Sequence, residues 1–340
     1  MLVKDFNYNL PEDKIAQTPL ENRTASKLLV VDATIQTYSD HVFEDFVGYL
    51  RPNDVLVFNN TKVIPARLKG KRATGAAVEV FLLKNIELER WEVLVKPGRK
   101  ALPGETIYFG NDFSCLIEEK TEFGGRIVKF ECKGVFNELL DKYGAVPLPP
   151  YIKTELKDFN RYQTVYAKHD GSVAAPTAGL HFTEELLERI RSMGVKTCFV
   201  TLHVGIGTFR PVTVENIHDH KMHSEEYFVC QDVADIVNEA KKKGGRVIAI
   251  GTTAIRTLES ATIDGILQHG SGSTEIFIYP GYEFKVVDAM ITNFHLPQST
   301  LLMLVAAYTG KDLMLRAYEH AVASDLYRFF SFGDAMFVYK

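Results

Sequence analysis

The feature that most constrains this chain is a change of period partway along it. From residue 62 to about 152 the sequence breaks into short runs: VIPARLKGKR, AAVEVFLLK, RWEVLVKPG, ETIYFG, FSCLIEEK and RIVKFECKG, parted by Pro, Gly and charged turns. Several of these runs alternate apolar with polar residues, the pattern of a strand with one buried face. Such runs at close spacing predict a compact antiparallel barrel or sandwich. One helical stretch, FNELLDKYG at 136–144, precedes PLPPYI at 147–152, which reads as a stiff linker back.

On either side of this segment strands alternate with helices. LLVVD (28–32) and DVLVFNN (54–60) are buried-strand runs, with VFEDFVGYL (42–50) at helical spacing between them. Further on, Thr183 caps a helix with Glu184 and Glu185 in its first turn and a stop near Gly194. KTCFVTLHV (196–204) is a strand, Asp232 caps VADIVNEAKKK, and RVIAIGTT (246–253) is the next strand. Then come helix AIRTLESAT, strands TEIFIYPG and DAMITNF, helices STLLMLVAAY and DLMLRAYEHAVAS, and a terminal strand SFGDAMFVY. Long alternation of this kind predicts a mainly parallel sheet with helices on both faces. The expected fold is α/β: a discontinuous three-layer α/β domain (residues 1–61 and 155–340) with a mainly parallel sheet, interrupted by an inserted β-barrel domain (62–154).

A chain of 340 residues has room for two such units, and 46% hydrophobic with 24% charged residues suits a sizeable core. No apolar run approaches the roughly 20 residues that span a bilayer, and the N-terminus lacks the apolar region of a signal peptide. Cys115, Cys132, Cys198 and Cys230 lie far apart with no CxxC pair, which favours a reducing, cytoplasmic setting over a disulfide framework or a cysteine zinc site. The net charge of −4 weighs against non-specific nucleic-acid binding but leaves room for a local basic face.

In open α/β sheets, ligands bind beyond the carboxyl ends of strands. Four predicted strand exits here carry polar or flexible residues: Asn59-Asn60-Thr61, His203 through Gly205, Gly207, Phe209 and Arg210, Gly251-Thr252-Thr253, and Asn293-Phe294-His295. The stretch GSVAAPTAGLHFTEE (171–185) adds small residues, which let a backbone approach a ligand, and His181 just ahead of a helix start. Together these predict one pocket. GIGTFR lacks both GxGxxG and GK[ST], so it is equally a tight strand exit. His218, His220 and His223, with Glu225 and Glu226, have spacings that can chelate a metal; a polar loop fits as well, and no metal site is assigned. Lys62, Arg67, Lys69, Lys71 and Arg72 form a basic run in which Arg67, Lys69 and Lys71 share one face of a strand, flanked further on by Lys96, Arg99 and Lys100. That stripe serves either as a phosphate contact or as a solvated edge. Arg256 and Glu259, three apart on a helix, are placed to pair, although Arg256 also suits a carboxylate clamp. His41, His169, His269 and His320 have no comparable setting.

VFNNTKVIPARLKG, SVAAPTAGLHFT, TLHVGIGTFRPV, DHKMHSE and ITNFHLPQSTLLMLVAAYTG, in this order, resemble the S-adenosylmethionine:tRNA ribosyltransferase-isomerases of queuosine biosynthesis, from MLVKDFNYNLPEDKIAQTP to FGDAMF. The resemblance implies an α/β domain interrupted by a β-barrel, with no permanently bound cofactor and S-adenosylmethionine as ribosyl donor. It implies a tRNA partner carrying 7-aminomethyl-7-deazaguanine at the wobble position, epoxyqueuosine as product, and adenine and methionine as leaving groups. Such chemistry needs a base for a 5′-carbon proton acidified by the sulfonium and an acid for the adenine. From position and chemistry, His181, His203, His223 and His295 are the acid/base candidates. Thr177, Gly179, Phe182, Gly205, Gly207 and Phe209 would shape the donor pocket. Asn59, Asn60, Thr253 and Asn293 would supply polar contacts, and Arg210 or Arg256 the clamp. Three other readings stay open: an S-adenosylmethionine-dependent RNA methyltransferase, a metal-dependent hydrolase or isomerase, and a non-catalytic RNA-binding module.

Overall fold

The computed structural model describes residues 1–121, 124–205, 207 and 212–340, with the backbone alone at Lys100. The six alternating runs become the strands Arg67–Arg72, Ala77–Glu87, Arg90–Lys96, Thr106–Tyr108, Phe113–Lys120 and Arg126–Cys132. They pair in the order first, second, third, sixth, fifth, fourth, all antiparallel, and the fourth returns to the first with Lys71 opposite Tyr108 and Arg72 opposite Ile107. The result is a closed barrel, which removes open edges by pairing every strand on both sides. Inward positions follow the two-residue period: Leu68, Val80, Leu82, Val93, Val128 and Phe130 are buried together. Helix α1 (Phe136–Tyr143) adds Leu139 and Leu140 to that core.

The flanking segments build one large sheet. Among the described residues its nine strands lie in the order Gly270–Thr274, Glu225–Val229, Lys196–Leu202, Val55–Asn59, Val247–Ile250, Ala289–Asn293, Ala335–Tyr339, Lys27–Asp32, Thr37–Val42. The four from Lys196–Leu202 to Ala289–Asn293 are parallel neighbours. Both outer flanks bring in antiparallel pairs, with one more parallel pair between Lys27–Asp32 and Ala335–Tyr339. The sheet is therefore mixed, with a parallel centre, where the sequence predicts a mainly parallel one. Residues 33–36 are too few to make a crossover, so Thr37–Val42 must fold back as a hairpin on Lys27–Asp32.

The central strands are buried on both faces, as parallel strands require. Val55 and Val57 join one apolar cluster with residues of α3 (Gln231–Lys242), α4 (Thr252–Ala261), α5 (Thr300–Thr309) and α6 (Lys311–Ala323). Their neighbours Leu56 and Phe58 join another, with Phe43, Phe46 and the α2 (Glu184–Ser192) residues Leu186, Leu187 and Ile190. Helix α2 starts as predicted: the Thr183 hydroxyl accepts from Leu186 N at 3.2 Å. Helix α3 does not. It begins after Cys230 with no side-chain cap, and Asp232 sits inside the first turn, where its charge faces the positive helix end. The 42–50 stretch is a 3₁₀ helix, Phe43–Tyr49. The TEIFIYPG strand also differs. The strand is Gly270–Thr274, recruited by pairing with Glu225–Val229, while Ile276, Phe277 and Tyr279 beyond it pack onto the core. Among the described residues no helix is long and apolar enough to cross a membrane.

Candidate active site

Parallel strands share a direction, so the four central strands end on one edge of the sheet. A cavity of about 590 Å³ opens there, between the exits of Val247–Ile250 and Ala289–Asn293 and the segment 174–178. Each wall has a local cause. Gly251 adopts φ 88, a left-handed value that admits glycine readily, and turns the strand directly into α4 without a capping side chain. Ser299 caps α5 by accepting from Leu302 N at 3.2 Å, which carries the chain around from Asn293 through His295. Ala174, Ala175 and Ala178 keep the third wall low. The remaining wall is aromatic: the Tyr151 and Phe330 rings lie 4.9 Å apart, and the Tyr151 hydroxyl meets Ser331 Oγ at 2.7 Å.

Tyr151 and Phe330 line the cavity without any signal in the sequence, because one lies in an apparent linker and the other outside any regular element. Phe330 and Gln298, both in the cavity wall, hold φ values of 71 and 60. Left-handed backbone at such residues costs about 1–3 kcal/mol each and gathers at ligand sites.

The polar groups of the wall are poised for a ligand. The first-turn N–H groups of α4 have no intrahelical acceptor and no side-chain cap, which makes this end electropositive. Thr253 Oγ1 and Asn293 Oδ1 are buried and find no hydrogen-bond partner among the described residues. Asn293 is turned this way by its amide nitrogen, which donates to Phe330 O at 3.1 Å and approaches His181 Nε2 at 3.2 Å. A volume in the range of small-molecule sites, with an aromatic side and a few convergent polar atoms, suits a nucleoside-sized ligand.

Of the four histidines singled out, His295 alone lines this cavity. Its Nε2 lies 2.7 Å from Thr292 Oγ1. His181 sits behind the wall, stacked 4.9 Å from Phe43, with Nδ1 2.8 Å from Ser26 Oγ. Since Asn293 must donate, His181 accepts at Nε2 and carries its proton on Nδ1. His203 Nδ1 lies 2.8 Å from Thr61 Oγ1, outside the cavity wall. His223 is exposed beside Gly207, where a Cβ would collide with its ring. His218 and His220 pack against Tyr279 and Phe277, with ring centroids 5.3 and 5.4 Å apart.

Burial pushes His295 down to about 3, and burial with the charges of Arg23 and Arg328 does the same to His181. Both rings are neutral at neutral pH. An unfolded histidine titrates near 6.5, so below that pH the unfolded chain binds protons that the folded chain refuses. The stability these rings permit is complete above about 6.5 and is lost as pH falls toward 3. Melting temperature should fall between pH 7.5 and 5, and His181→Gln should flatten that slope; an identical slope in wild type and variant would contradict a neutral buried ring.

Several other predicted contacts serve the scaffold. Asn59 is fully buried and bonds Leu202 N, Leu202 O and Thr61 N, joining two strand exits. Asn60 Oδ1 accepts from Thr201 Oγ1 at 2.7 Å. Phe182 is a core residue, edge-on to Phe58 at 5.0 Å and to Phe43 at 5.1 Å. Gly179 is glycine because a Cβ there would collide with the Tyr166 hydroxyl. Thr177 and Thr253 do line the cavity, together with Asn293. Arg256 pairs with Glu225, not with Glu259, whose carboxylate instead accepts from Tyr282 and from the backbone of residues 285–287. Glu225 also accepts from Gly205 N at 3.0 Å. Arg256 lies outside the cavity wall, and Phe209 and Arg210 lie outside the described residues.

Four residues of the basic run, Arg67, Lys69, Lys71 and Arg72, lie on the barrel's first strand, while Lys62 lies on a short strand, Thr61–Val63, paired with His169–Ser172 outside the barrel sheet. Leu68 points into the core while Lys69 and Lys71 are exposed, as the period of two predicts. Three of its charges are already matched: Lys62 by Asp170 at 3.2 Å, Arg67 by Glu79 at 3.9 Å, and Arg72 by Glu105.

A family model described as queuosine biosynthesis protein matches residues 3–338. The chain is 57% identical over 337 residues, 98% of each chain, to an S-adenosylmethionine:tRNA ribosyltransferase-isomerase of Thermoanaerobacter sp. (strain X514). It is 56% identical over the same share to the protein of that name from Caldanaerobacter subterraneus subsp. tengcongensis. The crystal structure of an S-adenosylmethionine tRNA ribosyltransferase from Thermotoga maritima aligns with a TM-score of 0.57 at 38% identity, covering 98% of this chain and 99% of that one.

Proposed function

We propose the following reaction for this chain, which belongs to the queuosine biosynthesis protein family. It is a tRNA-modifying enzyme that takes the ribosyl group of S-adenosylmethionine as co-substrate, transfers it to tRNA and isomerises it. In our reading the acceptor is the aminomethyl nitrogen of 7-aminomethyl-7-deazaguanine at the wobble position, and the product is epoxyqueuosine. A new carbon–nitrogen bond forms to that amine, which gives up a proton. The 5′-carbon gives up a second proton. The bonds from ribose to adenine, to the methionine sulfur and on one side of the furanose oxygen break, while a carbon–carbon bond closes the cyclopentane and a carbon–oxygen bond closes the epoxide. Adenine takes up one of the two protons as it leaves, and methionine departs with the sulfur electron pair.

The roles follow the cavity. The Tyr151–Phe330 wall takes the adenine face, an apolar surface that also favours a nearby cation. The uncapped first turn of α4 takes the methionine carboxylate, in place of a clamp by Arg256. Thr177, Thr253 and Asn293 hold the hydroxyl and amino groups. His295, neutral and in the wall, removes the 5′-carbon proton. We read residues 1–61 and 155–340 as a three-layer catalytic unit and 62–154 as its inserted barrel, working in the cytoplasm. Arg67, Lys69, Lys71 and Arg72 on the barrel and Lys62 beside it contact tRNA, most strongly Lys69 and Lys71, which have no ion-pair partner among the described residues. Reversing both should lower the slope of log affinity against log salt by roughly 1–2; an unchanged slope would remove the barrel from the interface.

The observation that carries this reading is one nucleoside-sized cavity whose walls are the family-like stretches AAPTA, GTT and TNFHLPQ. The test is product analysis. The protein, S-adenosylmethionine and tRNA bearing the aminomethyl base should release free adenine, detected by chromatography, only when all three are present. S-adenosylhomocysteine would indicate a methyltransferase, inactivation by chelators a metal enzyme, and tRNA binding without consumption of the donor a binding module; each would sink the proposal.

A further inference from the structure

Three arginines converge on a small cleft behind the cavity. Arg23, Arg161 and Arg328 line it together with His181 and Ser331, and Ser331 also lines the large cavity. Their guanidinium groups are held by backbone carbonyls. Arg23 donates to Leu180 O at 2.9 Å, Asn160 O at 3.1 Å and Gln163 O at 2.9 Å. Arg161 donates to Glu21 O and Leu20 O at 2.9 and 2.5 Å, and Arg328 to Thr18 O and Phe332 O at 3.2 and 3.0 Å. Among the described residues no guanidinium nitrogen of the three has a carboxylate oxygen within 4.0 Å; the Asp334 carboxylate instead accepts from the backbone N–H of Arg328 at 2.7 Å. The barrel run differs on this point, since three of its five charges are paired.

We infer that the Arg23–Arg161–Arg328 cleft binds a backbone phosphate of the tRNA strand, beside the nucleotide that enters the cavity. Carbonyls fix where each guanidinium sits without cancelling its charge. Like charges that line one small cleft and are half-buried repel one another, and an arriving anion relieves that repulsion. Arg23 feels it: burial first, and then the Arg161 charge, lower its pKa against a smaller upward pull from Tyr166 and Asp158. Planar guanidinium groups with rigid N–H forks match phosphate oxygens, and a phosphodiester is the anion that a tRNA substrate brings. Ser331 and Phe330, adjacent in sequence, tie the cleft to the aromatic wall, so a phosphate held here would register the target base against the donor.

This inference rests on the proposed tRNA reaction, and its test separates the two. Arg161→Gln and Arg328→Gln are compared with wild type for tRNA binding across a salt titration, for KM of each substrate, and for melting temperature. Each variant should weaken tRNA binding about 5- to 10-fold and lower the salt slope by roughly 0.7–0.9, the effect of losing one phosphate contact. KM for S-adenosylmethionine should stay within twofold, and Arg328→Lys should restore the slope. Folded variants that keep the wild-type slope would overturn the inference, as would equal weakening of both substrates. Inorganic phosphate that raises the wild-type melting temperature without competing with tRNA would mark a free-anion site and overturn it too. Adenine release by wild type in the same experiment reports on the reaction itself, whichever way the variants behave.

Discussion

His295→Ala should lower kcat about 10²- to 10⁴-fold, the usual contribution of a positioned proton acceptor. KM for S-adenosylmethionine should change little, because the uncapped turn of α4 and the Tyr151–Phe330 wall carry the binding. Burial holds this imidazole down to about 3, so the proton-accepting form is present throughout the neutral range. The acidic limb of kcat should accordingly fall well below the 6.5 of an ordinary histidine. His203→Ala and His223→Ala, which lie outside the cavity wall, should retain activity within about tenfold. His181→Ala should act differently from both: it removes one of the acceptors that orient the Asn293 amide, leaving Phe330 O, and so should raise KM more than it lowers kcat. A kcat within threefold of wild type in His295→Ala would remove this residue from the chemistry.

Glu225→Ala should destabilise the protein by about 3–5 kcal/mol, because breaking a buried ion pair strands the remaining charge. Glu225 and Arg256 are 5% and 6% exposed, so water cannot take over from the lost partner. The same carboxylate holds Gly205 N at 3.0 Å, so the variant also loosens the strand exit that precedes the GIGTFR run. Such a loss is a large part of a typical total stability of about 5–15 kcal/mol. Glu225→Gln keeps an acceptor for Gly205 N and should cost less. Denaturant unfolding measures both variants; a loss under about 1 kcal/mol in Glu225→Ala would mean that Arg256 finds water or another partner.

Much of the fold is readable from the residues because periodicity reports burial. The six barrel strands alternate, and their inward residues are those that the alternation selects. Strand direction is not written in the same way. The run VLVFN is buried on both faces and reads as a central parallel strand, but nothing in AMFVY says that it runs antiparallel to AMITN. GSGST becomes a strand only because Glu225–Val229 offers it a ladder, against its own weak propensity.

The site was half legible for a related reason. Glycines, threonines and asparagines at strand exits mark where a ligand can lie, but they do not say which side chains turn toward it. Asn59 and Asn293 have the same type of position, yet Asn59 spends its hydrogen bonds joining strands and Asn293 leaves Oδ1 unpartnered. Arg256 looks like a clamp until Glu225, distant in sequence, is brought against it. Tyr151 and Phe330 meet only in three dimensions, 179 residues apart in number.

The central claim is that this cavity passes on the ribosyl group of S-adenosylmethionine and not its methyl group. Two preparations of the donor, one labelled in the ribose carbons and one in the methyl carbon, test it most directly when each is incubated with the enzyme and tRNA bearing the aminomethyl base. The ribose label should move into tRNA, while the methyl label should leave with free methionine. Methyl label in the tRNA, with ribose label remaining on S-adenosylhomocysteine, would contradict the account.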